Sequence, residues 1–283
     1  VTTTGTAGSS GAKTVITVAA SAPTLYYQCS NHAGMGGQAN TNSLFGSSNF
    51  SGSIQSTVSA NTTSGFSIVS YTGVGGTNKT VGHALGSTPQ FVIIKPRSAT
   101  GHWSVTNPRF VSVSDPNLLY LQLTSHEADD TNVNGDNAPS STIFGVDDYS
   151  AVNTNGQTQI AYCMSEKKGF SKFGTYTGGS DPFVYLGFKP AWVMFKNASS
   201  AENWRIVDNK RDIDNPVVQH IFANSSSAEA SGSSYSDFID FLSNGFKIRS
   251  GSGEIDGSGH SIVYMAFAES PFVNSKGIPT NAR

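Results

Sequence analysis

The chain has 283 residues, of which 13% are charged, where roughly 25% is ordinary for a soluble domain. At roughly 150 residues per domain, this length predicts about two domains and a core large enough to fold without a disulfide or metal staple. A formal net charge of -2 provides no basic surface for a nucleic-acid backbone or an anionic membrane, so both partner classes are excluded.

Hydrophobic residues at 37%, together with 30 Gly, predict a folded chain whose surface is Ser, Thr, Asn and Gly in place of charge, a composition suited to extended β proteins outside cells. Residues 1–13 have little to bury and read as a linker or edge segment. No basic segment with an apolar stretch behind it follows Val1, so the numbering is expected to begin inside a longer chain. TVITV at 14–18 and LYYQC at 25–29 are β-branched and aromatic, and predict two short strands separated by the Ser21-Ala22-Pro23 turn. Residues 36–65 read as a long connector with one strand.

An internal duplication dominates the remainder. LGSTPQFVIIK at 85–95 aligns without a gap with LGFKPAWVMFK at 186–196, and Trp103 and Trp204 keep the same offset of 101 residues. Phe144 answers Phe246, AYCMSE at 161–166 answers YMAFAE at 264–269, and Phe66-Ser67 with Tyr71-Thr72-Gly73 answers Phe170-Ser171 with Tyr176-Thr177-Gly178. Within each copy the apolar runs are short, aromatic and bounded by turn chemistry, as in an all-β sandwich. The runs at 91–94, 192–195 and 262–268 are apolar on both faces, so they are expected to be central strands. FLSNGFKI at 241–248 predicts a hairpin around Asn244-Gly245, with a short helix at 237–242 as the rival reading. No apolar run approaches the ~18 residues of a membrane-spanning helix, and the tail at 273–283 reads as surface.

Soft ligands cluster in one place, where Cys29, His32 and Met35 follow a predicted strand at C-x2-H-x2-M spacing. Thiolate, imidazole and thioether are three of the four ligands of a blue-copper site. The competing reading makes Cys29 a small buried hydrophobe and the loop a glycine-shaped turn. Both Cys29 and Cys163 are expected as thiols unless Cys29 holds a metal, and Cys163, inside a central strand, is expected buried. No G-x-S-x-G elbow occurs; Asp256-Gly257-Ser258-Gly259-His260 aligns with the turn Asn153-Thr154-Asn155-Gly156. Asp129-Asp130, Asp147-Asp148, Asp212 and Asp214 lie in polar loops, where two acids would have to meet across a cleft for glycoside hydrolysis. No enzyme is expected. Trp103 and Trp204, with Lys95 and Lys196, suggest either a ligand platform in each copy or, preferably, core. His83 reads as a strand-end residue.

Two resemblances follow from these residues. The segment from Leu25 to Met35 resembles the copper loop of cupredoxins with short Cys-to-Met spacing, but it lacks the upstream His that those proteins carry. YYQCSNHAGMGG, FSIVSYTG, the LGSTPQFVIIK and LGFKPAWVMFK pair, DNKR at 208–211, FLSNGFKIR and YMAFAESPFVNSKGIPTNAR resemble virion proteins of marine bacteriophages, notably tail-fibre-like and surface proteins of cyanophages and pelagiphages. This likeness implies a structural protein on the external surface of a virion, at tail or capsid, assembled in the host cytoplasm. It also implies other virion proteins as partners, a homo-oligomer such as a trimer, adhesion to a host surface glycan, and a natural C-terminus near Arg283. The expected fold is all-β, with two tandem β-sandwich repeats of jelly-roll or lectin-like type preceded by a short β segment. Residues 1–65 form the N-terminal β segment, linker and cupredoxin-like loop, 66–168 the first repeat, and 169–283 the second repeat and tail. The alternative function is a copper-binding, electron-transfer module fused to β domains; apart from that copper, no cofactor is expected.

Overall fold

The structure, a computed structural model, describes residues 1–6, 9–18, 22, 25–29, 35–39, 46–109, 118–128, 131–135, 137–179, 181–231, 238–250 and 253–269. The described chain is all-β and β-sandwich-like, with two one-turn helices. Its elements begin with β1 (Thr2–Thr4), β2 (Lys13–Val15), β3 (Leu25–Gln28) and β4 (Gly36–Ala39). Next come β5 (Ser47–Asn49), β6 (Ser56–Asn61), β7 (Phe66–Thr72), β8 (Lys79–Gly82), β9 (Phe91–Pro96), β10 (Ser104–Thr106), β11 (Leu119–Tyr120), α1 (Thr131–Asn134), β12 (Ile143–Val146) and β13 (Thr158–Met164). The last group is β14 (Ser171–Thr177), β15 (Phe183–Tyr185), β16 (Pro190–Asn197), β17 (Trp204–Asp208), β18 (Gln219–Phe222), β19 (Ala230–Ser231), β20 (Phe238–Leu242), β21 (Gly245–Ser250), α2 (Gly253–Asp256) and β22 (Ser261–Ala268).

Two large antiparallel sheets organise the molecule. One has seven strands in the order β11-β10-β9-β13-β7-β6-β5, and the other six in the order β14-β22-β16-β17-β18-β19. Read from the opposite end, the second contains β18-β17-β16-β22-β14, which reproduces the first five strands of the other sheet. Smaller sheets, β12-β8 and β15-β21-β20, accompany them. Individual hydrogen bonds recur as well. The Tyr71 hydroxyl donates to the Val152 carbonyl at 2.7 Å and the Tyr176 hydroxyl to that of Ile255 at 2.6 Å. Gly156 N–H donates to Gly73 O, and Gly259 N–H to Gly178 O, with both glycines at positive φ.

The strands apolar on both faces divide their side chains by the two-residue period of an extended chain. In β9, Val92 and Ile94 enter a cluster with Val69, Val81 and Phe144, while Phe91 and Ile93 face the other way. In β22, Ile262, Tyr264 and Ala266 join Phe195, Phe246 and Ile248, while Val263 and Met265 face the other way. The second set from each strand meets in a shared third cluster, so the two large sheets pack directly on one another. Phe91 and Phe173 meet there edge to face with ring centroids 5.6 Å apart. Trp204 Nε1 donates across the same junction to Tyr120 O at 2.9 Å.

Several expectations change. The connector at 36–65 holds three strands, β4, β5 and β6, and the last two extend the first large sheet, with Ile54 and Val58 in its core. Residues in the segment read as a linker supply β1, which pairs with β2, whereas β3 pairs with β4. Period-two burial in β6 rests on Ser56 and Val58, too few apolar residues to register as a strand in sequence. The 241–248 hairpin is present and Phe238–Leu242 is strand, which removes the helix reading. Its turn residues are Ser243 and Asn244, and neither Asn244 nor Gly245 has positive φ. Gly245 is required for a different reason, since a Cβ there would lie 2.0 Å from Val184 O. The tail at 273–283 lies outside the described residues.

Candidate functional site

The hairpin of β3 and β4 brings Cys29 and Met35 opposite one another, because the Gln28 to Gly36 register is followed by a bond from Cys29 N–H to Met35 O at 2.6 Å. Cys29 is half-buried and Met35 is 60% exposed. His32 lies outside the described residues, so the structure joins two of the three copper candidates. Among the described residues no three His, Cys, Asp or Glu side chains gather in a metal-binding group. Cys163 is buried on the inner face of β13, and burial pushes its thiol well above the usual range.

The other candidates resolve into structural bonds. Asp147 Oδ1 accepts from Asn78 N–H at 3.1 Å and Asp148 N–H at 2.8 Å. Asp256 Oδ1 accepts from Gly179 N–H at 2.6 Å, within the turn that includes Ser258 and His260. Asp129 and Asp130 lie outside the described residues. His83 is fully buried; its Nδ1 accepts from Leu85 N–H at 3.1 Å, which leaves Nε2 to donate to Ser140 O at 3.1 Å. Burial lowers its pKa, and the bond to Ser140 opposes that only in part. Trp204 is a core residue and Trp103 packs partly buried against the same cluster, both at the junction between the two large sheets.

Sequence reasoning missed a knot of buried charge beside α2. Arg205, on β17, pairs with Glu254, and both side chains are almost wholly buried. Asn203 Nδ2 also donates to Glu254 Oε1 at 3.1 Å. On the opposite face of the sheet, Lys196 Nζ donates to Glu202 O at 2.7 Å and to Thr124 O at 2.9 Å. Burial lowers the Lys196 pKa to about 8, against the opposing pull of Glu202 and Glu254. Its counterpart Lys95 donates to Gly101 O in an exposed setting. The partner that distinguishes them is Thr124, in a stretch where Glu127 N–H also bonds Ala198 O across the junction.

A second feature is a polar cleft of about 200 Å³ where residues 209–215 meet Lys189, Val217 and Phe241. Its loop is held by its own short polar side chains. Asp208 Oδ1 accepts from Lys210 and Arg211 N–H at 2.9 and 3.0 Å, and Arg211 Nε donates to Asp208 Oδ2 at 2.8 Å. Burial works to raise the Asp208 pKa, but these bonds outweigh it and hold the carboxyl below its ordinary value. Asp212 Oδ2 accepts from Val218 and Gln219 N–H at 2.8 and 2.6 Å. Asn215 exchanges two bonds with the Phe241 main chain, at 2.9 and 3.0 Å. Asp212 and Asp214 were legible as polar loop residues, but their meeting with Lys189 and Phe241 was not.

Taken together, these features define a layered all-β protein whose polar side chains mainly lock main chain, with a small polar cleft at one loop. No helix among the described residues is long and apolar enough to cross a membrane. The chain belongs to the family described as Domain of unknown function (DUF7483), which it matches over residues 38–271. Comparison with curated proteins and with solved structures finds no match.

Proposed function

We propose that this chain is a non-enzymatic structural component of a bacteriophage virion, displayed on a tail fibre or the capsid surface and engaged in host or glycan adhesion. In this reading it consists of two tandem copies of one β-sandwich and associates with other virion proteins and with further copies of itself, a trimer being the natural fibre symmetry. The observation that carries it is the fate of the polar side chains. Asp147, Asp208, Asp212, Asp256 and His83 each anchor main-chain groups, which favours a rigid display scaffold over a reaction centre. Low charge and sheets packed on both faces supply the inertness that an external scaffold needs.

The test is antibody labelling of purified phage particles with electron-microscopic readout. Labelling of tail or capsid is expected, and particles free of the antigen would refute the proposal. A second reading, a copper module, is favoured by the register that sets Cys29 opposite Met35. It requires an absorbance band near about 600 nm on copper addition, lost in Cys29→Ser.

A further inference from the structure

We propose that the cleft between Lys189 and the 209–215 loop is the binding site for one ring of a neutral saccharide, an inference that rests on the adhesive reading and gives it a location.

Three observations converge. The first is size: drug-sized ligands fill roughly 300–1,000 Å³, whereas about 200 Å³ is available here, room for a single small ring. The second is chemistry. A sugar ring presents adjacent hydroxyls, each both donor and acceptor, with C–H faces between them. The cleft offers the exposed Asp214 carboxylate as acceptor and the Lys189 ammonium as donor. Asn209 also lines it, with its Nδ2 bonded to Glu269 Oε1 at 2.9 Å and its Oδ1 sealed from solvent without a hydrogen-bond partner. At the rim Ile213 is 82% exposed, an isolated branched apolar side chain beside polar groups, suited to the C–H face of a ring.

The third observation is preorganisation. Binding is strengthened when the receiving loop has already lost its freedom. This loop is tied at Asp208, Asp212 and Asn215 by bonds to main-chain groups of 210, 211, 218, 219 and 241. Those bonds leave Ile213 and Asp214 at its outer turn.

Charge decides between neutral and anionic sugars. Lys189 is bound to Glu269 at 3.0 Å, so it does not neutralise Asp212 and Asp214, which repel a sulfate, phosphate or uronate. A neutral ring meets no such cost.

The experiment is amide chemical-shift mapping on the intact 15N-labelled chain. The probes are the methyl glycosides of glucose, galactose, mannose and N-acetylglucosamine at ~50 mM, enough to saturate a site of about 1 mM Kd. Glucuronate and calcium chloride alone are added in separate titrations. At least one neutral glycoside is expected to shift amides of Lys189, 209–215, Val217 and Phe241. Asp214→Ala and Ile213→Ala each should weaken it at least fivefold with unchanged thermal stability, since both side chains are exposed. Four outcomes would overturn the site: no shift with any neutral glycoside, shifts confined elsewhere, equal binding by Asp214→Ala, or loop shifts from calcium or glucuronate in place of the neutral sugars. Particle labelling is independent of all four, so a silent cleft on a labelled virion removes this inference alone.

Discussion

The buried pair of Arg205 and Glu254 has an internal control, because the equivalent positions in the first half are small. Ser104 aligns with Arg205 one residue beyond the matched Trp103 and Trp204, and Ala151 aligns with Glu254 one residue before the matched Val152 and Ile255. Ser104 and Ala151 are each 1% exposed, so the same architecture tolerates a neutral pair at this depth. The two charged side chains are 1% and 8% exposed, and removing one partner of such a pair costs about 3–5 kcal/mol through the charge left behind. Arg205→Ser and Glu254→Ala should therefore each lower the melting temperature by on the order of 10 °C. The double variant, which restores the first-half pair, should lose less than the worse single variant. Some cost remains because the Arg205 side chain also lies over the Phe222 ring, 5.9 Å from its centroid. Urea titration followed by tryptophan fluorescence suits the measurement, since Trp103, Trp192 and Trp204 all pack at the sheet junction. If the singles are neutral, or if their losses simply add, the ion pair is not what holds α2 to the sheet.

Trp204→Phe should cost about 1–3 kcal/mol, because a smaller ring leaves space at a fully buried junction and the Nε1 bond to Tyr120 O is lost, although that carbonyl keeps Leu123 N–H as a donor; the same urea titration checks it. Lys196 predicts an alkaline dependence. Burial disfavours its charged form, so the native chain releases the proton near pH 8 while the unfolded chain holds it to about pH 10.4. Stability should rise across that interval by at most about 3 kcal/mol, and Lys196→Met should flatten the rise in chemical-denaturation curves collected from pH 7 to 10.

Much of the local architecture was legible in the amino-acid order. The runs at 91–94, 192–195 and 262–268 appear as β9, β16 and β22, because a strand apolar on both faces has nowhere to go but between layers. The aligned strings reappear as equivalent strands in the same order, since like sequences pair with like neighbours. In sequence the connector reads with one strand where three stand, because β6 and β5 carry few apolar residues and are held by main-chain pairing, β6 to β7 and β5 to β6. Of the copper candidates, hairpin register alone joined Cys29 to Met35.

The sequence by itself determined what is local or compositional: strand period, the place of the 241–248 hairpin and low charge. Tertiary structure alone decided what depends on residues far apart in the chain. It set the outer faces of both large sheets against each other, buried Arg205 with Glu254 from 49 positions away, and enclosed a cleft between Lys189, the 209–215 loop and Phe241. The physical reason is that alternation specifies that a face must be covered but not what covers it. Which surface does so is chosen by the fit of whole sheets, a property that no short stretch of the chain carries.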